Sequence, residues 1–129
     1  MPEEIQLLQF LICKDFREGG HDSYSAEGVF SNYFVPEFPC HLEKLFAVTC
    51  WRKDKRFHKE VIEFETEDGS KFKSAHTDIE PVTSSVHYRW HKHPFPKDLV
   101  VTKPSILTIR VVLDWKTLWE TSILIEKAH

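Results

Sequence analysis

The chain is short of the residues that most often mark a catalytic or cofactor loop. Only four of its 129 residues are glycine: Gly19, Gly20, Gly28 and Gly69. No Gly-rich phosphate cradle and no dinucleotide fingerprint occurs among them. The three cysteines, Cys13, Cys40 and Cys50, are odd in number and show no CxxC spacing. They read as reduced thiols that pack as small hydrophobes, not as a disulfide framework or a thiolate metal site. A surplus of positive charge is absent too: 17 Lys and Arg stand against 20 Asp and Glu, for a net charge of −3. That balance argues against a general DNA or RNA binder. Long apolar runs are missing as well. The one at 5–13 is too short to span a bilayer. It follows an acidic Met1-Pro2-Glu3-Glu4 start without the basic residues and small-residue cleavage site of a secretory signal. The expectation is a cytoplasmic protein with no membrane insertion.

Helical stripes are also lacking, apart from a possible helical turn within 114–123. What is present is β-branched and aromatic sequence cut by turn signals. Candidate strands fall at 5–14, 24–35, 42–52, 57–66, 71–78, 84–93, 105–113 and 118–126. Glu67-Asp68-Gly69-Ser70 predicts a tight hairpin, because Asp-Gly accepts the positive φ angles of a type I′ turn. The run Glu18-Gly19-Gly20-His21-Asp22 separates the first two strands, with Asp15 and Glu18 expected at a salt-bridged turn. Gly28, inside a strand pattern, predicts a bulge or a close backbone approach. Such spacing without intervening helices points to an all-β fold: a single antiparallel β-sandwich over residues 1–129. It is expected to be immunoglobulin-like or C2-like, with about seven to nine strands. The expected core is Leu8, Phe10, Ile12, Phe30, Phe46, Val48, Ile62, Phe64, Ile109, Val111 and Ile123. Trp119 is expected to join it, with Trp51, Trp90 and Trp115 partly exposed beside charged neighbours.

Residues 80–104 hold four of the seven prolines, which predicts loops and edge structure, where binding residues often sit. The chain has eight histidines, and three fall in His87-Tyr88-Arg89-Trp90-His91-Lys92-His93. On a strand, the period of two puts His87, Arg89, His91 and His93 on one face. Imidazoles at i and i+2 can ligate a transition metal, so a metal site on His87, His91 and His93 is one reading. The Arg89 cation on that face, and the lack of a nearby carboxylate, count against it. A second reading takes Tyr88, Arg89, Trp90, His91, Lys92 and His93 as a binding surface. Aromatic rings interleaved with cations, Lys97 included, suit an acidic protein surface, or more weakly a single-stranded nucleic acid or another anionic ligand. The plain architectural reading turns Tyr88 and Trp90 toward the core and leaves the charged residues wet. Ser84 and Ser85 lie near His87, but no nucleophile elbow or oxyanion element accompanies them. An enzyme is not expected, and neither is a cofactor.

The segment Cys13-Lys14-Asp15-Phe16-Arg17-Glu18, followed by Gly28-Val29-Phe30 and Val35-Pro36-Glu37-Phe38-Pro39, resembles an uncharacterised bacterial family of small β-sandwich domains. The likeness covers the first fifty residues best. The closing strands at 107–113 and 119–125 match more loosely, and Asp114-Trp115-Lys116 replaces an Asp-Gly turn. The resemblance implies the sandwich and carries no catalytic residues. In it Arg17 would anchor Asp15 or Glu27, and Pro36 and Pro39 would stiffen a crossover between sheets. The function expected from all this is a non-enzymatic interaction module. It would recognise a protein partner through an edge strand or the 84–97 surface, with self-association through edges also open.

Overall fold

The computed structural model describes residues 4–21, 23–42 and 44–128. Residues 1–3, and Asp22 of the expected turn, lie outside that set. Among the described residues the chain forms twelve strands and no helix. They are β1 (Gln6–Gly19), β2 (Ser23–Val29), β3 (Asn32–Val35), β4 (Cys40–His41), β5 (Phe46–Arg52), β6 (His58–Glu65), β7 (Lys71–Lys73), β8 (Thr77–Ile79), β9 (Tyr88–Pro94), β10 (Val100–Val101), β11 (Ser105–Leu113) and β12 (Lys116–Lys127). Short strands account for the excess over the sequence expectation. The 24–35 run divides where the chain leaves one sheet for the other at residues 30 and 31. The 114–123 segment is a hairpin turn and a strand, with no helical turn.

Two sheets make the sandwich. One has the order β2-β1-β5-β9, the other β3-β12-β11-β6-β7, with β8 also on β6. A small β10-β4 pair lies apart from both. All pairings are antiparallel except β3 on β12, which is parallel. The period-two pattern explains the layers. In β11, Ser105, Leu107, Ile109, Val111 and Leu113 are buried while the residues between them are not. Ile62 and Phe64 of β6, and Ile123 and Ile125 of β12, continue that face. The opposing layer supplies Ile12, Ala47 and Trp51. Burying each large side chain of this kind contributes about 1.5–3 kcal/mol.

Six of the eleven expected core residues lie in the main core: Ile12, Ile62, Phe64, Ile109, Val111 and Ile123. Phe10 and Phe30 pack against it. Val48 and Phe46 belong instead to a second cluster with Cys13 and Phe16. Leu8 is exposed, because a register shift between Leu7 and Gln9 on β5 turns it out of the ladder. Two tryptophans differ from expectation. Trp51 is fully buried, held by a hydrogen bond to a buried carboxylate, and Trp119 is 39% exposed.

A hairpin forms at Asp68-Gly69, but not the expected type I′ turn: Thr66 receives the Gly69 amide, which puts Glu67 and Asp68 at the centre of the turn, and of Asp68 and Gly69 only Gly69 has a positive φ, 89°. Gly28 has φ 64°, yet the pairing of Cys13 with Val29 and Asp15 with Glu27 inserts no extra residue. Close approach is the reason for glycine here. A Cβ would come within 3.1 Å of the Lys14 side chain. Asp15 and Glu18 lie within β1, which runs on to Gly19, so there is no salt-bridged turn at that point. Arg17 does reach both Asp15 and Glu27, at 3.6 and 3.5 Å, on the surface.

Candidate functional site

The register of β9 on β5 decides what the histidine segment does. Arg89 lies opposite Trp51, His91 opposite Thr49 and His93 opposite Ala47, so all three face the other sheet. Trp90 and Lys92 point outward, opposite Cys50 and Val48. The plain architectural reading is thus inverted: the charged side of this strand is the inner one. The cause is Glu60 of β6, which faces inward on the same side as Ile62 and Phe64 and is fully buried. It accepts hydrogen bonds from the Thr49 hydroxyl and the Trp51 indole, each at 2.6 Å. Arg89 Nη1 approaches to 3.1 Å and His93 Nε2 to 3.0 Å. Burial pushes the Glu60 carboxyl up, but the bonds and charge from His93, with Thr49 and Trp51, outweigh it and hold the group at about 2.

His91 packs edge-on against His93, with ring centroids 4.5 Å apart. Burial, then the charges of His93 and Arg89, pull His91 down to about 4, so it is neutral at pH 7. His87 lies before the strand and is exposed; its carbonyl accepts the Lys53 amide at 2.8 Å. The structure therefore brings His91 and His93 together and leaves His87 apart. Among the described residues no group of three His, Cys, Asp or Glu is arranged to hold a metal ion.

The outward side of β9 is also engaged. Trp90 stacks on Phe16 at 5.5 Å and on Tyr24 at 5.2 Å, over buried Cys13 and Val48. Lys92 lies 4.6 Å from the centre of the Phe46 ring and 3.6 Å from Asp15. Of the six residues expected to form a binding surface, Tyr88 is the most exposed. The other five are spent largely on the protein's own packing. The signal that would have found Glu60 is its parity. In His58-Lys59-Glu60-Val61-Ile62-Glu63-Phe64, a carboxylate shares the core-facing period with Ile62 and Phe64, and a buried charge requires partners.

A second polar knot fixes the end of the sandwich. His58 Nδ1 is 2.6 Å from Asp114 Oδ2, and its Nε2 is 2.8 Å from Asp54 Oδ1. Burial lowers the imidazole, but hydrogen bonds to Asp114 and Asp54 overcome it and raise the group above its ordinary value. Asp54 also accepts the amides of Ile5 and Arg56.

A flank between β1 and β12 lies open. The first half of β1 pairs with β5 on one side, and β2 joins its other side only from Cys13 onward. β12 pairs with β11 along its length, but β3 covers its other side only from Leu124. Among the described residues no strand pairs with the remaining edges, which meet where Phe10 contacts Trp119, centroids 4.7 Å apart. On one side of that contact is a cleft of about 470 Å³ between Ile5–Phe10 and Leu118-Trp119. On the other is a smaller one of about 210 Å³, reaching Phe30 and Ile123. Each strand carries a bulge at the larger cleft. The shift between Leu7 and Gln9 frees Leu8, and the shift opposite Val111 and Val112 frees Leu118. Bulges re-aim side chains at sheet edges, and these two send both leucines to one cleft, 39% and 51% exposed.

No protein-family model, no curated protein and no solved structure matches this chain. No helix among the described residues is long and apolar enough to cross a membrane.

Proposed function

We infer that the protein is a non-enzymatic interaction module whose open flank receives an extended segment of a partner polypeptide. The observation that carries this reading is the convergence of two bulged leucines, Leu8 and Leu118, on a cleft bordered by two unpaired strand edges. An extended peptide is the ligand that satisfies both features. Its backbone continues the ladder of β12 or β1, and its alternate side chains fill the apolar cleft beside Phe10 and Trp119. A compact small molecule would leave the edge amides and carbonyls to water. The Tyr88–His93 strand plays the supporting part. Its inward charges are neutralised by Glu60 and its outward ring is stacked, so it stiffens the opposite flank. The buried polar groups also support a non-catalytic role, since Glu60 is closed in by its own partners.

The test is a peptide selected from a random-sequence display library on the wild-type protein. A Leu8→Asp/Leu118→Asp variant that keeps its melting temperature should bind that peptide at least about tenfold more weakly, a change worth about 1.4 kcal/mol. Equal binding by a folded variant would remove the flank as the site.

A further inference from the structure

The hairpin between β11 and β12 turns through Asp114 and Trp115 at φ 50° and 68°. Two successive positive φ values define a type I′ turn, whose second position favours glycine strongly. This chain places its largest side chain there, and 74% of that tryptophan is exposed. Neither burial nor backbone preference accounts for the choice. Strained positions of this kind persist where the surroundings over-determine them, and they cluster at binding sites. The surroundings here are specific. Asp114 Oδ2 is tied to His58, its Oδ1 accepts the Lys59 amide, and its own amide donates to the Lys59 carbonyl. The backbone of the turn is therefore tied down at Asp114, and the indole next to it stands out into solvent.

Trp115 forms one wall of a pocket of about 180 Å³ on the outer face of the β6–β11–β12 sheet. Val61 and Val112 supply its apolar part, and His76 lies 6.3 Å from the indole, centroid to centroid. The polar lining mixes donors and acceptors: Lys59 and Lys73, Thr117 and Glu63. Its charge is nearly balanced. Lys59 lies 3.8 Å from Asp78, and Glu63 is bound by Arg110, which Glu65 and Glu120 also engage. A net anion gains little from such a surface, and a cation gains no more. A neutral ligand with one apolar face and a rim of hydroxyls fits every part of it.

We propose that the Trp115 pocket is a carbohydrate-binding site that takes a single hexopyranose unit. The C–H face of the sugar lies on the indole, and its hydroxyls exchange hydrogen bonds with Lys73, Thr117 and Glu63. Holding the backbone at Trp115 through the His58–Asp114 tie lowers the ordering cost that weak sugar binding must overcome. The site is separate from the open flank, so it stands or falls independently of the peptide reading.

The experiment follows the Trp115 indole N–H signal by two-dimensional NMR during titration with methyl β-hexopyranosides, cellobiose and lactose, with benzoate as the anionic aromatic control. At least one sugar should shift that signal saturably at millimolar concentration. Trp115→Gly, followed through the backbone amides of the pocket residues Lys73 and Thr117, should abolish binding while keeping the fold, because glycine suits φ 68°. Lys73→Met should weaken binding at least about tenfold, the loss of one good polar contact. The proposal is overturned if no sugar shifts the signal, if a sugar still shifts the Lys73 and Thr117 backbone amides in Trp115→Gly, or if benzoate alone produces the response.

Discussion

His58 bridges two carboxylates, with Nδ1 2.6 Å from Asp114 and Nε2 2.8 Å from Asp54. Both ring nitrogens donate in this arrangement, so the charged imidazolium is the form the fold selects. The bridge joins the segment leading into β6 to the β11–β12 turn. It is the reason that a turn without glycine closes there.

A pH dependence of stability follows from that bridge. The His58 value is raised in the fold, so its contribution is complete below the unfolded value near 6.5 and is lost as pH rises through the folded value. The Asp54 and Asp114 values are lowered; burial opposes this, and the hydrogen bonds of Arg56 and His58 to Asp54 and of His58 to Asp114 prevail. Their contribution is present above the unfolded value near 3.8 and fades as pH falls below it. Urea unfolding at pH 7 and 9, order-of-magnitude choices above the unfolded histidine value, should show wild-type stability declining toward pH 9; below pH 7 the depressed value of His91 acts in the opposite sense. In His58→Gln that decline should shrink to the part set by the buried thiols of Cys13 and Cys50, whose values burial also raises.

Glu60→Gln should be among the most damaging single polar changes. It leaves Arg89 and His93 inside the sandwich without their counter-charge. Breaking a buried pair from one side costs about 3–5 kcal/mol. Chemical denaturation measures that loss. A shift in Trp51 emission should accompany it, since the indole donates to the same carboxylate. A cost near zero would mean that the network is already open to water.

Trp115→Gly should stabilise the protein by about 1 kcal/mol, the approximate strain of a non-glycine residue in the left-handed region. Thermal unfolding of the two proteins side by side checks the sign. A destabilised Trp115→Gly would show that the indole contributes packing that outweighs the strain.

Much of the fold was legible because period-two alternation and turn chemistry agree with it. The 105–113 run became β11 with every second residue buried, and a hairpin turned at Asp68-Gly69, though with the positive φ at Gly69 and not at Asp68. The faces were harder to read. Leu8 and Leu118 leave their ladders at bulges, and a bulge is a pairing property that no single strand displays. The 87–93 segment showed its periodicity but not its direction. Arg89 and His93 face inward because Glu60, twenty-nine and thirty-three residues earlier, waits on the opposing sheet. The charged neighbours of Trp51 suggest partial exposure, but its indole N–H has a buried partner instead. The flank was invisible for a related reason: an unpaired edge exists only once every other pairing is known.

Phe64→Ala checks the core assignment. Its ring is fully buried and lies 4.7 Å from that of Phe95. The substitution should cost about 3–5 kcal/mol in denaturant unfolding, whereas Leu8→Ala at the exposed bulge should cost far less. Equal losses at the two positions would contradict the placement of Leu8 outside the ladder.

The central claim is that the flank between β1 and β12 accepts a partner strand. Amide hydrogen exchange, measured with and without a library-selected peptide, tests it most directly. The account predicts new protection at residues 9–11 and 119–123, the stretches with no strand on their outer edges among the described residues. Protection confined to β9, or to the far edge formed by β7 and β8, would contradict it.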